Sequence, residues 1–207
     1  MAAGYLYLGL LWVLWCALHS FLIAQAVVSG LKAKLGDLYR FYRVFFNLVS
    51  VLTLIPVLLY ADSLRKDPFF YWSGAWRPVQ ILLVLGAVGL FYAGARHYDL
   101  RQFLGVREIQ EHEWRKGLTR TGSLDTTGIL GVIRHPWYVA GILIIWARPL
   151  DGSALVTNIV LTVYLVTGTL LEERKLVAHF GDKYRDYQAR VPMFFPKVGS
   201  KREKTRG

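Results

Sequence analysis

Four long apolar blocks without a charged residue dominate the pattern of the chain, and they cover residues 5–28, 44–61, 78–95 and 154–171. Each has about the ~17–25 residues that a helix needs to cross the ~30 Å hydrocarbon core of a bilayer. The stretch at residues 24–26 mimics a signal-peptide cleavage site, but no basic residue precedes the first block, which is also long for a signal peptide. The pattern therefore predicts an all-α integral membrane protein that keeps its first span.

A shorter fifth block covers residues 137–147, and a helix of that length is only ~16 Å long. A turn at residues 148–152 follows it, so the sequence predicts a tight helical hairpin with a short first arm. The short arm either crosses the membrane by recruiting residues before Pro136, or both arms enter the membrane only partway. The crossing arrangement gives five transmembrane helices.

The basic residues alternate between the segments that connect these blocks. If the blocks cross the membrane in turn, the segments on one side carry 21 Lys and Arg residues and those on the other side carry four. The positive-inside rule assigns the richer side to the cytoplasm. We therefore expect an N-terminus outside and a C-terminus inside the cell, with a basic tail at 197–207 near anionic lipid headgroups.

Composition narrows the function classes further. Of the 207 residues, 54% are hydrophobic and 19% are charged, which argues against a soluble globule or a disordered chain. The net charge is +11, but both signs mix within residues 107–120, which favours a solvated cytoplasmic segment over a nucleic-acid site. The single cysteine, Cys16, excludes an intramolecular disulfide, and the histidines lack metal-ligand spacing, so we expect no metal.

Two polar stretches flank the hairpin on the predicted cytoplasmic side. The first contains the candidate site residues Gly131, Arg134, His135, Pro136, Tyr138 and, one turn later, Gly141. Proline favours the first turn of a helix, so we expect a helix to begin here with free N–H groups that suit an anionic group. The alternative is an ordinary interfacial helix start with aromatic anchors.

The second polar stretch begins with Glu172 and Glu173, where the last span ends. Paired carboxylates at this depth are costly unless a neighbouring cation or a ligand stabilises them. Gly181 is typical of a helix C-cap, and Tyr184 and Tyr187 share one face of the helix predicted after it. That helix is expected to lie along the membrane surface and to cover a pocket.

Together the two stretches form a more specific pattern. Arg-His-Pro-x-Tyr-x-x-Gly at 134–141 and Glu-Glu-Arg-x-Leu-x-x-x-Phe-Gly-x-x-Tyr-x-x-Tyr-x-x-x-Val-Pro at 172–192 resemble the isoprenylcysteine carboxyl methyltransferase and phospholipid methyltransferase superfamily. The N-terminal part is similar to the NnrU-like branch of that superfamily, which includes methanethiol S-methyltransferase. This similarity rests on His19-Ser20, the aromatic run from Tyr39 to Ser50, Tyr98-Asp99-Leu100 and Phe103-Leu104-Gly105.

The resemblance implies one membrane methyltransferase domain over residues 1–207, with three spans in 1–96 and a cofactor-binding hairpin and C-terminal helix in 128–196. The implied cofactor is S-adenosylmethionine, bound on the cytoplasmic side by Gly131, His135, Pro136, Tyr138, Gly141, Glu172, Tyr184 and Tyr187. The implied catalytic residues are Arg134, His135, Glu172 and Glu173. A carboxylate suits the cations or the diol of the cofactor, and Arg134 or the helix N-terminus suits its carboxylate.

The favoured acceptor is a small thiol such as methanethiol, which must lose its proton to become a nucleophile. His19, Asn47 and Asp99 are candidate substrate residues, although His19 and Asn47 are equally suited to hydrogen bonds between helices. Alternative acceptors are an isoprenylcysteine carboxylate or a phospholipid amine, and an NADPH-dependent, sterol-reductase-like oxidoreductase is a further alternative. Membrane lipids are the expected partners, and the branch resemblance suggests a bacterial inner membrane.

Overall fold

The computed structural model describes residues 2–111 and 124–196, and helices are the only regular elements in that part of the chain. They are α1 (Ala2–Leu22), α2 (Gln25–Leu35), α3 (Tyr42–Ser63), α4 (Arg77–Ala95), α5 (Leu100–Leu104), α6 (Val106–Glu111), α7 (Pro136–Trp146), α8 (Gly152–Phe180) and α9 (Asp182–Arg190). Short 3₁₀ turns lie at Gly36–Phe41, Gly74–Trp76 and Gly128–Gly131.

Four helical segments are long and apolar enough to cross a membrane: Ala2–Leu22, Gln25–Ser63, Gly74–Ala95 and Gly152–Phe180. The all-α, membrane-capable architecture predicted from the apolar blocks is therefore confirmed. Helix α7 is apolar but shorter than these segments.

The first apolar block differs from the continuous span predicted at residues 5–28. Helix α1 ends at Leu22 and α2 begins at Gln25, with extended backbone at Ala24 between them. The Tyr42 hydroxyl donates a hydrogen bond to the Leu22 carbonyl over 2.6 Å. This bond satisfies one of the carbonyl groups that a helix leaves free at its C-terminus, so the break is stabilised by α3.

The core of the first half lies where α1 packs against α3 and α8. Leu8, Trp12 and Val57 are buried there. The Trp12 indole donates to the Thr157 hydroxyl over 3.0 Å, and the Trp15 indole donates to the Ser50 carbonyl over 3.1 Å. Such hydrogen bonds help to fix one helix against another where the surroundings are apolar.

Helix α7 runs antiparallel to α4. At one end the Trp137 indole donates to the Phe91 carbonyl over 3.1 Å, and at the other the Gln80 amide donates to the Ala147 carbonyl over 2.7 Å. Gly94 makes the close approach possible, because a Cβ atom at this position would lie 2.4 Å from the Trp137 indole nitrogen. The short arm of the hairpin is thus held along most of the length of α4.

The helices define two ends of the protein. The turn end contains the start of α1, residues 64–76 and the hairpin turn, which are joined by the bridge between Phe70 and Leu150 and by contact between Tyr5 and Gly152. The opposite end, called the site end here, contains residues 97–105, 128–135 and 172–196. Helix α8 continues past the predicted span end at residue 171 to Phe180 and carries both glutamates to the site end.

We expect Gly94→Ala to lower the free energy of unfolding by about 1–3 kcal/mol, because the added methyl group overpacks the contact between α4 and α7. The Trp137 ring is held by its bond to Phe91 and by the Tyr98 ring, so it has little room to move. Gly89→Ala in the same helix is the matched control, since no atom lies within 4 Å of its added Cβ atom. Unfolding in detergent measures both, and equal midpoints would contradict this packing.

Candidate functional site

The site end is organised around the Glu173 carboxylate, which is buried with 5% of the residue exposed. Arg134 donates to both of its oxygens, from Nε over 2.7 Å and from Nη2 over 2.8 Å. The carboxylate also accepts hydrogen bonds from His135 Nε2 and the Tyr184 hydroxyl, both at 2.8 Å, and from the Gln188 amide. One buried anion therefore joins three separate segments of the chain.

Local backbone structure places these groups together. Glu173 lies on α8, and Gly181 reverses the chain at φ +59° so that α9 folds back with Tyr184 and Gln188. The carbonyl groups of Pro192 and Met193 then accept backbone hydrogen bonds from the N–H groups of Arg134 and His135 over 3.0 and 3.3 Å. The segment before α7 is consequently fixed to the chain that follows α9.

The Arg134 guanidinium forms its hydrogen bonds with groups of the protein itself. Besides Glu173, its guanidinium donates to the carbonyl groups of Gln188 and Val191. Four of its five N–H groups are engaged in these bonds, and the residue is 9% exposed. The structure places Arg134 inside the buried cluster, and its predicted binding of a cofactor carboxylate stays a prediction.

Tyr184 and Tyr187 form the buried face of α9, as their spacing predicts. They are 1% and 3% exposed, and Tyr187 donates its hydroxyl to the Leu130 carbonyl over 2.5 Å. Burial and the neighbouring Glu173 carboxylate raise the pKa of Tyr184, so its hydroxyl remains a donor. Both side chains lie within the buried cluster and expose almost no surface, and their predicted contact with a cofactor stays a prediction.

His135 and Glu172 lie next to each other at the edge of this cluster. Because the Glu173 carboxylate only accepts, His135 Nε2 is the donor of their bond, and Nδ1 remains an acceptor in the neutral ring. This Nδ1 lies 3.8 Å from Glu172 Oε2. The Glu172 side chain is 38% exposed, yet Oε2 is buried and has no hydrogen-bond partner within residues 2–111 and 124–196. When the ring is neutral, an acceptor nitrogen thus faces a carboxylate oxygen, and the Tyr138 hydroxyl is the nearby donor to the Glu172 carboxylate.

Aromatic side chains surround this edge. Tyr138 packs edge-on against the His135 ring with centroids 5.5 Å apart and interacts electrostatically with Glu172. Tyr98 stands beside Trp137 with a centroid distance of 4.6 Å, and burial followed by the Glu172 charge raises its pKa. In the sequence, Tyr98 belongs only to the resemblance at residues 98–100. Its position in the chain does not predict that it lies near Glu172 of α8.

His97 and Asp125 form a second pair that the sequence did not indicate. His97 Nδ1 lies 2.7 Å from Asp125 Oδ2, and a Cβ atom at Gly128 would lie 2.5 Å from His97 Nε2. Burial alone would raise the pKa of Asp125, but hydrogen bonds from His97 and Thr127 lower it overall. The pair holds the 3₁₀ turn before Arg134, and Gly128 at φ +53° permits the close approach.

The glycines and the proline of the first motif have packing roles here. A Cβ atom at Gly131 would lie 2.9 Å from the Thr126 carbonyl, and one at Gly141 would lie 3.4 Å from Leu165. Pro136 begins α7 as predicted and is almost completely buried. These positions shape the turn and the contact between α7 and α8.

The three predicted substrate residues are not brought together. His19 lies 3.1 Å from the Ser50 hydroxyl and stacks on Trp15 inside the bundle. Asn47 donates to the Phe103 carbonyl over 3.2 Å. Asp99 caps α5 by accepting from the N–H groups of Arg101 and Gln102, which makes it a structural residue in this fold.

Part of the predicted solvated segment at 107–120 differs from expectation. Glu108 is 3% exposed and pairs with Arg43 over 2.9 Å, because α6 packs against the turn before α3. Residues 112–123 and the predicted basic tail at 197–207 lie outside the described residues. Within the described part, no group of three or more His, Cys, Asp or Glu residues is placed to hold a metal ion.

Comparison with known proteins gives one family and several relatives. The family model described as "NnrU protein" matches residues 6–186. A methanethiol S-methyltransferase of Crocosphaera subtropica is 36% identical over 106 residues, which cover 51% of this chain and 40% of that protein. Methanethiol S-methyltransferase 2 of Bradyrhizobium diazoefficiens is 35% identical over 161 residues, covering 74% of this chain and 60% of that protein.

A more distant relative comes from the wider superfamily. Protein-S-isoprenylcysteine O-methyltransferase of Schizosaccharomyces pombe is 37% identical over 81 residues, which cover 36% of this chain and 34% of that enzyme. The chain thus spans between about a third and three fifths of the length of these curated relatives. No solved structure gives a significant match.

We expect Glu173→Gln to lower the free energy of unfolding by about 3–5 kcal/mol, because it leaves the buried Arg134 charge without its partner. Glu172→Gln is the matched control on the adjacent residue. Its side chain is partly exposed and has no ion pair with Lys or Arg in the described part, so we expect a change below about 1 kcal/mol. Thermal unfolding in detergent measures both, and equal losses would show that Glu173 is not the organising charge.

Proposed function

The chain belongs to the NnrU family, and on that premise we propose that it is an S-adenosylmethionine-dependent membrane methyltransferase acting on a small thiol, most simply methanethiol. The observation that carries the proposal is the pairing of His135 Nδ1 with Glu172 Oε2 at the edge of a buried cluster. The names of the relatives support the reaction and the acceptor.

The residues at this edge fit such a cofactor. A carboxylate oxygen and a neutral imidazole nitrogen that lie 3.8 Å apart suit an ammonium or hydroxyl group between them. Tyr98 and Tyr138 interact with Glu172 through their phenol groups, and their rings pack beside Trp137 and His135. Aromatic rings next to a carboxylate suit a cation, including a sulfonium. We propose that Glu172 holds the cationic part of the cofactor, with Tyr98 and Tyr138 around it.

When bound, S-adenosylmethionine supplies an electrophilic methyl group. The chain must then orient the acceptor in line with that group and ionise the thiol, because thiolate is the nucleophile. We assign the proton transfer to His135, whose Nδ1 is free to accept while Glu173 fixes the tautomer through Nε2. Arg134, Tyr184 and Gln188 hold Glu173 in place for this role.

The apolar interior of the helix bundle also supports a small thiol as the acceptor. A thiol as small as methanethiol needs only a narrow apolar path, and the aromatic cluster of Trp15, His19 and Tyr164 lies inside the bundle between α1, α3 and α8. Tyr164 interacts electrostatically with Tyr138, which connects this cluster to the site. We therefore retain His19 as a proposed substrate residue and give Asn47 and Asp99 no direct role.

The proposed arrangement in the membrane has five crossings in a single domain. Helix α7 lies along α4 between the levels of Gln80 and Phe91, which supports a full crossing by the short arm. The described segments rich in Lys and Arg lie at the site end, which supports a cytoplasmic site end and an N-terminus outside. Helix α9 would then lie at the inner surface of a bacterial plasma membrane, covering the site.

The test is a labelled-methyl transfer assay with purified protein in detergent. Methanethiol, a prenylcysteine and phosphatidylethanolamine are offered in parallel with labelled S-adenosylmethionine. We expect labelled dimethyl sulfide and no labelled ester or methylated lipid. Transfer only to the carboxylate or the amine would reject the thiol, and absence of transfer to all three would reject the methyltransferase.

The same assay tests the site through Glu172→Gln, for which we expect kcat/KM to fall about 10²-fold or more, as on removal of one well-placed electrostatic contact. Asp182→Asn is the matched control, because that carboxylate is exposed at the same end and pairs only with Arg185 among the described residues. Activity should be unchanged in the control. Wild-type activity in Glu172→Gln would remove this residue from the site.

A further inference from the structure

A cavity lies at the turn end, on the side of the molecule opposite to the proposed active site. Its volume is about 660 Å³. One wall is apolar and is formed by Ile55, Leu58 and Leu59 of α3, which are 45%, 48% and 66% exposed and lie in a segment long enough to cross a membrane. The cavity is therefore open toward the region that lipid chains occupy.

The lining also includes charged groups from the end of α3, from the segment that follows it and from the hairpin turn. Arg65, Lys66 and Arg148 contribute three positive charges, and Asp62 and Asp151 contribute two negative charges. Asp62 pairs with Arg65 over 3.3 Å. Asp151 is already engaged, because its oxygens accept hydrogen bonds from the N–H groups of Ala154 and Lys66 over 2.6 and 3.0 Å.

Arg148 is held in a fixed orientation beside the cavity. Its Nε and Nη2 atoms donate to Asn158 Oδ1 over 3.1 and 2.6 Å, and Nη2 also donates to the Ala154 carbonyl. Its Nη1 atom and the Lys66 ammonium have no partner within the described ranges. Burial lowers the pKa of Arg148, and the neighbouring Asp151 carboxylate opposes this shift.

We propose that this cavity binds the phosphate headgroup of an anionic phospholipid, with Arg148 and Lys66 contacting the phosphate and an acyl chain lying along the exposed face of α3. The cavity lining matches both parts of a phospholipid. The guanidinium and the ammonium suit its phosphate, and the apolar wall suits its hydrocarbon chain. The combination distinguishes an amphiphile from a free anion, which would use only the charged half of the cavity.

The experiment is a titration of detergent-purified full chain with dioleoyl phosphatidylglycerol, followed by native mass spectrometry. We expect one tightly retained lipid, about fivefold weaker binding in Lys66→Gln, and at least tenfold weaker binding in Leu58→Trp, which fills the apolar half. The Lys66→Gln change keeps the backbone bond to Asp151. Arg77→Gln, which removes an exposed cation at the same end outside the cavity, should bind like the wild type.

Two further arms separate the possible sources of the phosphate. Dioleoyl phosphatidylcholine should bind several-fold more weakly, and millimolar inorganic phosphate should not displace the bound lipid. Equal affinity of wild type, Lys66→Gln and Leu58→Trp would overturn the proposal, as would displacement by inorganic phosphate or equal affinity for the two lipids. Thermal unfolding midpoints of the variants check their folding, and none of these outcomes depends on methyl transfer.

Discussion

The burial of one carboxylate, that of Glu173, is the constraint on which the site end depends. A buried charge is tolerated only when it is paired and hydrogen-bonded, and Glu173 meets this condition with Arg134, His135, Tyr184 and Gln188. Because these partners come from the segment before α7 and from α9, compensation of the charge also determines how the hairpin and the C-terminal helix meet. Folding and the geometry of the site thus depend on the same interaction.

This arrangement gives the two adjacent glutamates different surroundings. Glu173 faces the protein interior and supports His135, whereas Glu172, one residue earlier on α8, keeps a partly exposed side chain and a buried oxygen without a partner in the described part. Successive residues on a helix point in directions about 100° apart, so an acidic pair can supply one structural and one ligand-facing carboxylate. The proposed methyltransferase chemistry uses that difference directly.

Much of the fold could be predicted from the sequence, because long uncharged blocks have few alternatives in a bilayer. The start of α7 at Pro136, the cap at Gly181 and the buried face of α9 followed from local rules. The break between α1 and α2 did not, since it depends on Tyr42, which is distant in sequence from Leu22. The burial of Glu108 was missed for the same reason, because its partner Arg43 lies far from it in the chain.

The motifs contain residues that the structure brings together at the site end, but they do not assign a role to each of these residues. The motifs name both Arg134 and Glu173 as site candidates. Only the structure shows that the Arg134 guanidinium forms two hydrogen bonds with the Glu173 carboxylate. Conversely, the sequence around Tyr98, Asp125 and Gln188 does not predict that they lie at the site end. Packing between distant segments of the chain brings them there. Residue identity therefore predicted which chemistry is present, while three-dimensional contacts decided which groups remain available for it.

The most direct test of the account is equilibrium binding of S-adenosylmethionine and of NADPH to the purified protein in detergent. We expect saturable binding of S-adenosylmethionine that is weakened by Glu172→Gln, and no competition by NADPH. Tight NADPH binding without binding of S-adenosylmethionine would contradict it and would favour a membrane reductase instead.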